Sequence, residues 1–398
     1  MKILQLNPIC GVGSTGRIVS GIQEATLDNG DDCLVVYNRE PSKSVGKKVR
    51  IGSKMTLYTH ALYTRLTDRQ GFASKRETKR LIQIIDEYEP DMIHLHLLHG
   101  NYIYMPLLFQ AINDRKLPVV WTFHDAWALT GHCVHFYNIG CNRYQTGCHH
   151  CPLRTHHPAS WLIDQSKRNW KDKKNLFHSV ENMVIVTPSN WLADMVRNSF
   201  LKDRRIEVIP NGIDTKVFYP RKQQFLRYEY NIGNKFVILG CAGCWAPTKG
   251  LDDFKWLEAR IDKTKMQIVL IGLTKEQIQT LPDGIIGVEK MSDINRLAQW
   301  YTEADVFVNP TYEDNFPTTN LESLACGTPV ITYQTGGSPE SLTDECGDVV
   351  EQGNKEALLQ AILREKEHPK NMSDCLKQGA RYDFSVVYRR YLDLYGEC

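Results

Sequence analysis

Val306-Phe307-Val308-Asn309-Pro310-Thr311-Tyr312-Glu313-Asp314-Asn315-Phe316-Pro317-Thr318-Thr319-Asn320-Leu321-Glu322-Ser323-Leu324-Ala325-Cys326-Gly327-Thr328-Pro329-Val330-Ile331-Thr332 holds a strand, an acidic turn, a helix and a second strand in one run. Val306 to Asn309 and Pro329 to Thr332 are short apolar runs with β-branched residues, the pattern of buried parallel strands, and the segment between them has helical content. Glu313 and Asp314 sit where the first strand ends, and Glu322 is expected at the head of the helix. Carboxylates accept hydrogen bonds from sugar or ribose hydroxyls, and backbone N–H groups at a helix start attract phosphate. One segment therefore carries the groups needed to hold a nucleotide sugar.

The same alternation extends in both directions. Before it, strands are expected near Phe236–Gly240, Gln267–Ile271 and Ile285–Val288, and in the first half near Lys2–Leu6, Cys33–Tyr37, Met92–Leu95, Val119–Phe123, Met183–Val186 and Ile206–Ile209. Helices fall between, as at Thr78 to Tyr88, where Leu81, Ile84, Ile85 and Tyr88 recur at helical spacing. Alternating strands and helices predict an α/β chain with two doubly wound sheets. The 398 residues, 42% of them hydrophobic, suffice for two cores. Ile209-Pro210-Asn211-Gly212-Ile213-Asp214 is the expected boundary. Ligands of such sheets sit beyond the carboxyl ends of the strands, so two facing domains predict a cleft whose closure excludes water.

No apolar run approaches the roughly 20 residues of a membrane span, and the first residues form a strand, so a cytoplasmic chain is expected. The net charge of +2 hides an asymmetry: 27 Lys+Arg against 18 Asp+Glu up to Arg205, and 21 against 28 beyond. The basic first half, with Arg65, Arg69, Lys75, Arg76, Lys79, Arg80 and the run Lys167 to Lys174, suits an anionic partner such as a membrane surface or lipid diphosphate. A solvated helix face explains either run equally well. Without interleaved aromatics, nucleic acid is not expected.

Gly11-Val12-Gly13-Ser14-Thr15-Gly16 follows the first strand and opens a helix, which lets backbone approach a phosphate or sugar closely. The residues after strand two, Asn38 and Arg39, lack the ribose-binding acid of a dinucleotide fingerprint. Phe123-His124-Asp125 places an acid-base or hydrogen-bonding histidine where a buried strand emerges, with Asp125 able to orient a ring or cap the next turn. His94, His96 and His99 end another strand and rank behind His124, as sheet-edge or core hydrogen-bonding residues. Lys249, in a small-residue loop near a helix start, is positioned to neutralise a diphosphate. Cys133, Cys141, Cys148 and Cys151, among four histidines, predict a structural tetrahedral zinc that staples the loop, in preference to free thiols.

Together these residues resemble glycosyltransferase family 4, a retaining family of GT-B architecture. The resemblance rests on the glycine loop Gly11 to Gly16, on Asp91 to His96, on Phe123-His124-Asp125, on Pro188-Ser189-Asn190, on the boundary segment 209–214, and above all on Asp314-Asn315-Phe316-Pro317 through Val330. It implies transfer of a sugar from a nucleotide diphosphate sugar, UDP- or GDP-linked, to a hydroxyl of a glycan or lipid-linked oligosaccharide, as in bacterial exopolysaccharide or colanic-acid-type assembly. It also implies a Rossmann-like acceptor-side domain over 1–209 with a Cys-rich insertion at 126–160. A nucleotide-sugar-binding domain would span 210–382, and a terminal helix, 383–398, would pack back on the first domain.

By that resemblance Glu322 binds the ribose, Asp314 the donor sugar with Glu313, Asn315, Phe316 and Pro317 beside it, and Lys249 the diphosphate. His124 contacts the sugar near the reacting carbon, Gly13 presents its N–H to the leaving group, and Gly336 and Gly337 form a second glycine element facing the donor. No cofactor is required for transfer. Two positions depart from the family pattern: Asp314 stands where Glu is common, and Cys244 where an Arg precedes the phosphate lysine. The alternatives are a sugar-nucleotide epimerase, which needs no acceptor, a phosphorylase, which consumes phosphate, an NAD oxidoreductase, which would change nicotinamide absorbance, and an inactive sugar-nucleotide-binding scaffold.

Overall fold

The structure is a computed structural model and describes residues 1–39, 46–222 and 225–398. The chain forms two compact units, Met1–Pro210 with Tyr388–Cys398, and Asn211–Val387. In the first unit seven strands, β1 (Lys2–Leu6), β2 (Asp32–Tyr37), β3 (Lys47–Arg50), β4 (Met92–Leu95), β5 (Val119–Thr122), β6 (Met183–Thr187) and β7 (Arg205–Val208), lie in the order β3-β2-β1-β4-β5-β6-β7. In the second, β8 (Phe236–Cys241), β9 (Met266–Leu273), β10 (Ile285–Glu289), β11 (Val306–Asn309), β12 (Val330–Tyr333) and β13 (Gly347–Val350) lie in the order β10-β9-β8-β11-β12-β13. The named strand pairs are all parallel. Both units are therefore Rossmann-like, and the expected α/β class with two doubly wound sheets is what the chain adopts.

Helices cover both faces of each sheet, so the strand side chains are buried on both sides: every residue of β4, β5, β6, β11 and β12 is buried. Two edge strands, β3 and β13, fall outside the sequence expectation. Lys47-Lys48-Val49-Arg50 is mostly charge and Gly347-Asp348-Val349-Val350 carries an acid, so neither shows the apolar run that marks a central strand.

The boundary also differs in detail from the expectation. Pro210 belongs with the first unit, and the chain returns to that unit at Tyr388, five residues after the predicted helix start at 383. Backbone bonds explain the shift. Ile213 N donates to Tyr382 O (2.8 Å), Phe384 N donates to Ile213 O (2.9 Å), and Thr215 bonds the Asp383 carboxylate, so residues 383–387 are held by the second unit. The final helix, Arg389–Glu397, then buries Tyr391, Leu394 and Tyr395 in the first unit.

There Tyr395 and Tyr391 meet a polar spot in the middle of the sheet. His94 on β4 is fully buried, with Nδ1 bonded to Tyr395 Oη (2.6 Å) and Nε2 to Thr122 Oγ1 (2.8 Å), and Thr122 also bonds Tyr391 Oη (3.1 Å). β4 is central, so His94 satisfies core hydrogen bonds and does not line an edge. Burial pushes His94 down to about 3 and His60 to about 4, and it lowers His96 and His157 as well. At His132 burial opposes protonation, yet the Asp68 carboxylate outweighs it and raises the group.

A histidine held neutral in the folded state contributes stability above its unfolded pKa near 6.5, and that contribution is lost as pH falls towards the folded value. These four and His124, also lowered by burial, outnumber His132, whose contribution runs the other way. Unfolding free energy should therefore drop between pH 6.5 and 5, by roughly 1.4 kcal/mol per pH unit for each net proton taken up on unfolding. Denaturant titrations across that range measure it, and a flat profile would contradict the neutral core histidines.

Candidate functional site

In an open sheet whose strand order reverses beside its first strand, the loops at the carboxyl ends of the two flanking strands part in opposite directions and leave a crevice. That point lies between β1 and β4 in the first unit and between β8 and β11 in the second. The residues singled out in the sequence cluster at these two places.

In the second unit, Lys249 ends a short 3-10 turn after β8, and Asp314 follows β11. Lys249 Nζ donates to Asp314 Oδ2 (2.8 Å), to the carbonyl of Glu313 (2.9 Å) and to Thr311 Oγ1 (3.3 Å). Tyr312 N donates to Thr248 O (2.8 Å), which zips the two loops together. Gly250 makes the approach feasible: at φ +75° it holds a left-handed turn, and a Cβ there would lie 2.4 Å from Pro310 O. Lys249 and Asp314 each keep about a quarter to a third of the side chain in solvent, at 30% and 25%. A ligand phosphate or hydroxyl can therefore compete for both.

Glu322 differs from expectation. The helix runs Thr318–Ala325, so Glu322 is its fifth residue and not its head, because Pro317 stands at the N-cap and the helix begins one turn earlier. The carboxylate is buried, and Tyr301 Oη donates to its Oε2 (3.2 Å). No side chain caps this helix, leaving the backbone N–H groups of Thr318 and Thr319 at its start, while Asn320 N donates to Pro317 O (3.3 Å). Phe316 is also placed differently: its ring is buried in the core beside Tyr382, 5.7 Å between centroids, so only its backbone is available, and its carbonyl accepts from Asn211 Nδ2 (2.8 Å). Asn315 and Pro317 are buried, while Glu313 is half-buried. The second glycine element is tied to this loop, since Gly337 N donates to Asn315 O (2.9 Å) and Gly336 takes φ +53°.

Behind these residues lies a buried polar network that pattern reading missed. Asn320 Nδ2 donates to Ser338 Oγ (3.0 Å) and Ser341 Oγ (3.1 Å), Asn309 Nδ2 donates to Asn320 Oδ1 (2.9 Å), and Thr332 bonds Ser338 (2.7 Å). It locks the β11 loop, the helix and the second glycine element into one rigid block. The one available signal was polar residues in strands otherwise apolar.

In the first unit the glycine loop begins the helix Gly13–Asp28 with φ +65° at Gly13 and Val12 as an N-cap without a side-chain bond, so the first N–H groups are presented to solvent. Beside it a hydrogen-bond chain crosses three neighbouring strand ends. Gln5 Nε2 on β1 donates to Val19 O (3.2 Å) and Cys33 Sγ (3.3 Å), which leaves Gln5 Oε1 to accept from His96 Nε2 (3.0 Å). His96 is buried and neutral, so its Nδ1 has a lone pair and accepts from His124 Nε2–H at 3.0 Å. Burial and the charge of His99 hold His124 down at about 4, against the pull of Asp125, so it too is neutral near pH 7. With its one proton on Nε2, His124 Nδ1 is an acceptor.

Asp125 orients His99, not His124: His99 Nε2 bonds Asp125 Oδ2 (2.6 Å), while Trp127 N donates to Oδ1 (2.8 Å) and is thereby capped. Burial pushes the Asp125 carboxyl up, but His99 and the Trp127 N–H outweigh it and hold the group well below the usual carboxylate range. Gln5 and His96, overlooked or ranked second in the sequence, thus position His124.

The cysteine loop does not match the expected four-sulfur site. Among the described residues no group of three or more His, Cys, Asp or Glu side chains is arranged to hold a metal ion. Instead the Cys133 and Cys151 thiols act on each other, so that Cys151 is pushed down and Cys133 up, while burial raises Cys148 to about 11. The loop is held by Lys173, fully buried, whose Nζ donates to Trp127 O (2.7 Å) and Thr130 O (3.0 Å) and lies 3.3 Å above the Trp127 ring. Burial drives that ammonium down to about 7.

Comparisons with known proteins bear on the family and the fold. The profile described as Glycosyltransferase Family 4 matches residues 22–217, and that described as Glycosyl transferases group 1 matches residues 235–365. The putative colanic acid biosynthesis glycosyl transferase WcaC of Escherichia coli K12 is 24% identical over 393 residues, covering 92% of this chain and 90% of that protein. The N,N'-diacetylbacillosaminyl-diphospho-undecaprenol alpha-1,3-N-acetylgalactosaminyltransferase of Campylobacter jejuni is 29% identical over 237 residues, 55% of this chain and 61% of that one. Among solved structures, Anabaena HepE in complex with UDP and glucose superposes with a TM-score of 0.71 at 17% identity, over the whole of both chains.

Nitrogen NMR of labelled histidines tests the tautomer chain. At pH 7 His124 is expected as the Nε2-protonated neutral ring. In Gln5→Leu, His96 loses the acceptor that sets its proton, and His124 should become a mixture; an unchanged spectrum would break the relay.

Proposed function

We propose, for a chain that belongs to glycosyltransferase family 4 and is a glycosyltransferase of the GT-B fold, that it moves a sugar from a UDP- or GDP-sugar to a hydroxyl of a glycan or lipid-linked acceptor, with retention of configuration. The observation that carries this reading is the Lys249–Asp314 pair at the switch point of the second sheet, beside an uncapped helix start and the buried Glu322. A cation, an anion and outward N–H groups at one crevice suit a ligand that is both diphosphate and polyol. The acceptor class is supported by the Campylobacter relative, named for a diphospho-undecaprenol substrate, and the surface-polysaccharide role by the colanic acid relative.

In this reading Lys249 leaves Asp314 for the diphosphate and offsets the charge that develops as the sugar–phosphate bond breaks. Asp314, freed by that exchange, accepts from donor-sugar hydroxyls with Glu313 beside it, and Glu322, aimed by Tyr301, accepts from the ribose. Asn315, Pro317, Gly336 and Gly337 shape the loop around the donor. In the first unit, Gly13 offers N–H to phosphate and His124 Nδ1 accepts from a sugar hydroxyl near the reacting carbon. The acceptor oxygen bonds to the anomeric carbon on the face the phosphate leaves, and a departing phosphate oxygen takes the acceptor proton. No enzyme nucleophile and no divalent cation enter the scheme.

Thermal stabilisation by a panel of UDP- and GDP-sugars checks the donor, because a ligand that binds only the native state raises its stability. One donor should shift the melting temperature, and Glu322→Ala should weaken that shift about tenfold in concentration. Lys249→Ala is expected to lower turnover on the order of 10²-fold while leaving the fold intact. Turnover unchanged by Lys249→Ala would remove it from the mechanism, and donor binding without any transfer would favour the inactive scaffold.

Structural zinc at Cys133, Cys141, Cys148 and Cys151 is a separate proposal, and it requires the sulfurs to draw together from the arrangement described above. Its support is the buried Lys173 ammonium, whose hydrogen bonds go to two uncharged carbonyls; thiolates gathered on a metal would add negative charge beside it. Metal analysis of purified protein should find about one zinc per chain, lost together with thermal stability on chelation. A metal-free protein of equal stability would sink it.

A further inference from the structure

The helix Lys54–Thr67 is turned inside out. Its N-terminus is fixed by a capping box between Ser53 and Thr56, yet the residues it buries are His60 and Thr64. The apolar side chains Met55, Tyr58, Leu62 and Leu66, spaced three, four and four apart, form one stripe that is 70%, 67%, 50% and 40% exposed. A helix covering a core normally does the reverse. Its orientation is held by polar contacts: His60 Nδ1 bonds Ser74 Oγ (2.8 Å), and Thr64 Oγ1 bonds Asn101 Oδ1 (3.3 Å).

The stripe continues into Trp161-Leu162-Ile163, all three exposed, with Leu162 at 72%. The two segments touch, since Trp161 N donates to Arg65 O (2.8 Å) and the Arg65 guanidinium lies 5.3 Å from the Trp161 ring. Along the helix charge is one-sided, and the acid that follows Ile163, Asp164, is engaged by Cys151 N (2.7 Å) and Ser166 N (2.8 Å). From Gly46 to Arg76 there are eight Lys or Arg and a single acid, Asp68, which is buried and bonded to His132. Lys54, Arg65, Lys75 and Arg76 are exposed.

We infer that the helix Lys54–Thr67 and the segment Trp161–Ile163 form a docking surface for an anionic phospholipid bilayer. Apolar side chains mixed with Tyr and Trp suit the boundary between headgroups and acyl chains, and exposed Lys and Arg at the rim suit lipid phosphates. A second copy of this chain fits less well, because a two-fold contact would bring the same basic residues face to face. The stripe inserts and the basic rim supplies attraction that salt screens. This reading is independent of sugar transfer, and its test reads lipid binding alone.

The full chain is floated with vesicles of phosphatidylcholine, with and without phosphatidylglycerol, at low and high salt. The wild type should float only with the anionic vesicles and be released by salt. Tyr58→Ser with Leu62→Ser, at exposed positions that no core contact depends on, should weaken binding about tenfold with an unchanged melting temperature. Arg65→Glu with Lys75→Glu should flatten the salt dependence. The inference is overturned if the wild type stays with the protein-only fraction, if the serine variant binds as well as the wild type, or if that variant instead dissolves a dimer seen without lipid.

Discussion

Parallel strands buried on both faces admit a polar side chain only where it finds buried partners, as His94 and Gln5 do, and so solvent-accessible polar chemistry is driven to their carboxyl ends. Where the strand order reverses, beside β1 and again beside β8, adjacent loops part and those ends become reachable. The candidate site residues depend on that constraint. Gly13, His96 and His124 follow three neighbouring strands of one sheet, and Lys249 and Asp314 follow two neighbouring strands of the other.

Each end is then made rigid by interactions that a ligand does not disturb. In the second unit the Asn309–Asn320–Ser338 network stands behind the loop, while the Lys249–Asp314 ion pair stands in front of it, exposed enough to be exchanged. In the proposed scheme the pair keeps the lysine aimed until substrate arrives and makes both partners available together when one is displaced. Asp in place of the commoner Glu shortens the reach by one methylene, and the 2.8 Å contact shows that the shorter side chain still closes on the lysine. In the first unit the relay from Gln5 through His96 spends buried polarity on a single outcome, the side of the His124 ring that carries the proton.

The charge asymmetry along the chain acquires a location in the same way. Basic residues of the first half flank a helix whose solvent face is apolar, and the acid at its C-terminal end, Asp68, is buried on His132. A run of Lys and Arg by itself is compatible with any solvated surface. The exposed stripe beside it distinguishes this surface from the rest.

The residue pattern alone determined the α/β class, the alternation of two sheets, and the choice of Lys249, His124, Asp314 and Glu322 as candidates, because strand burial and loop chemistry are local and repeat in the sequence. The edge strands β3 and β13 were illegible, since charge at an edge erases the apolar run. Glu322 in mid-helix and the Phe316 ring in the core were decided by packing. So were Gln5, Tyr301 and Asn320, whose partners lie 91, 21 and 18 residues away. The inverted helix at Lys54–Thr67 shows the limit most plainly. A 3.6-residue period reveals that a helix has an apolar stripe, and only the tertiary contacts of His60 and Thr64 decide that the stripe faces outward.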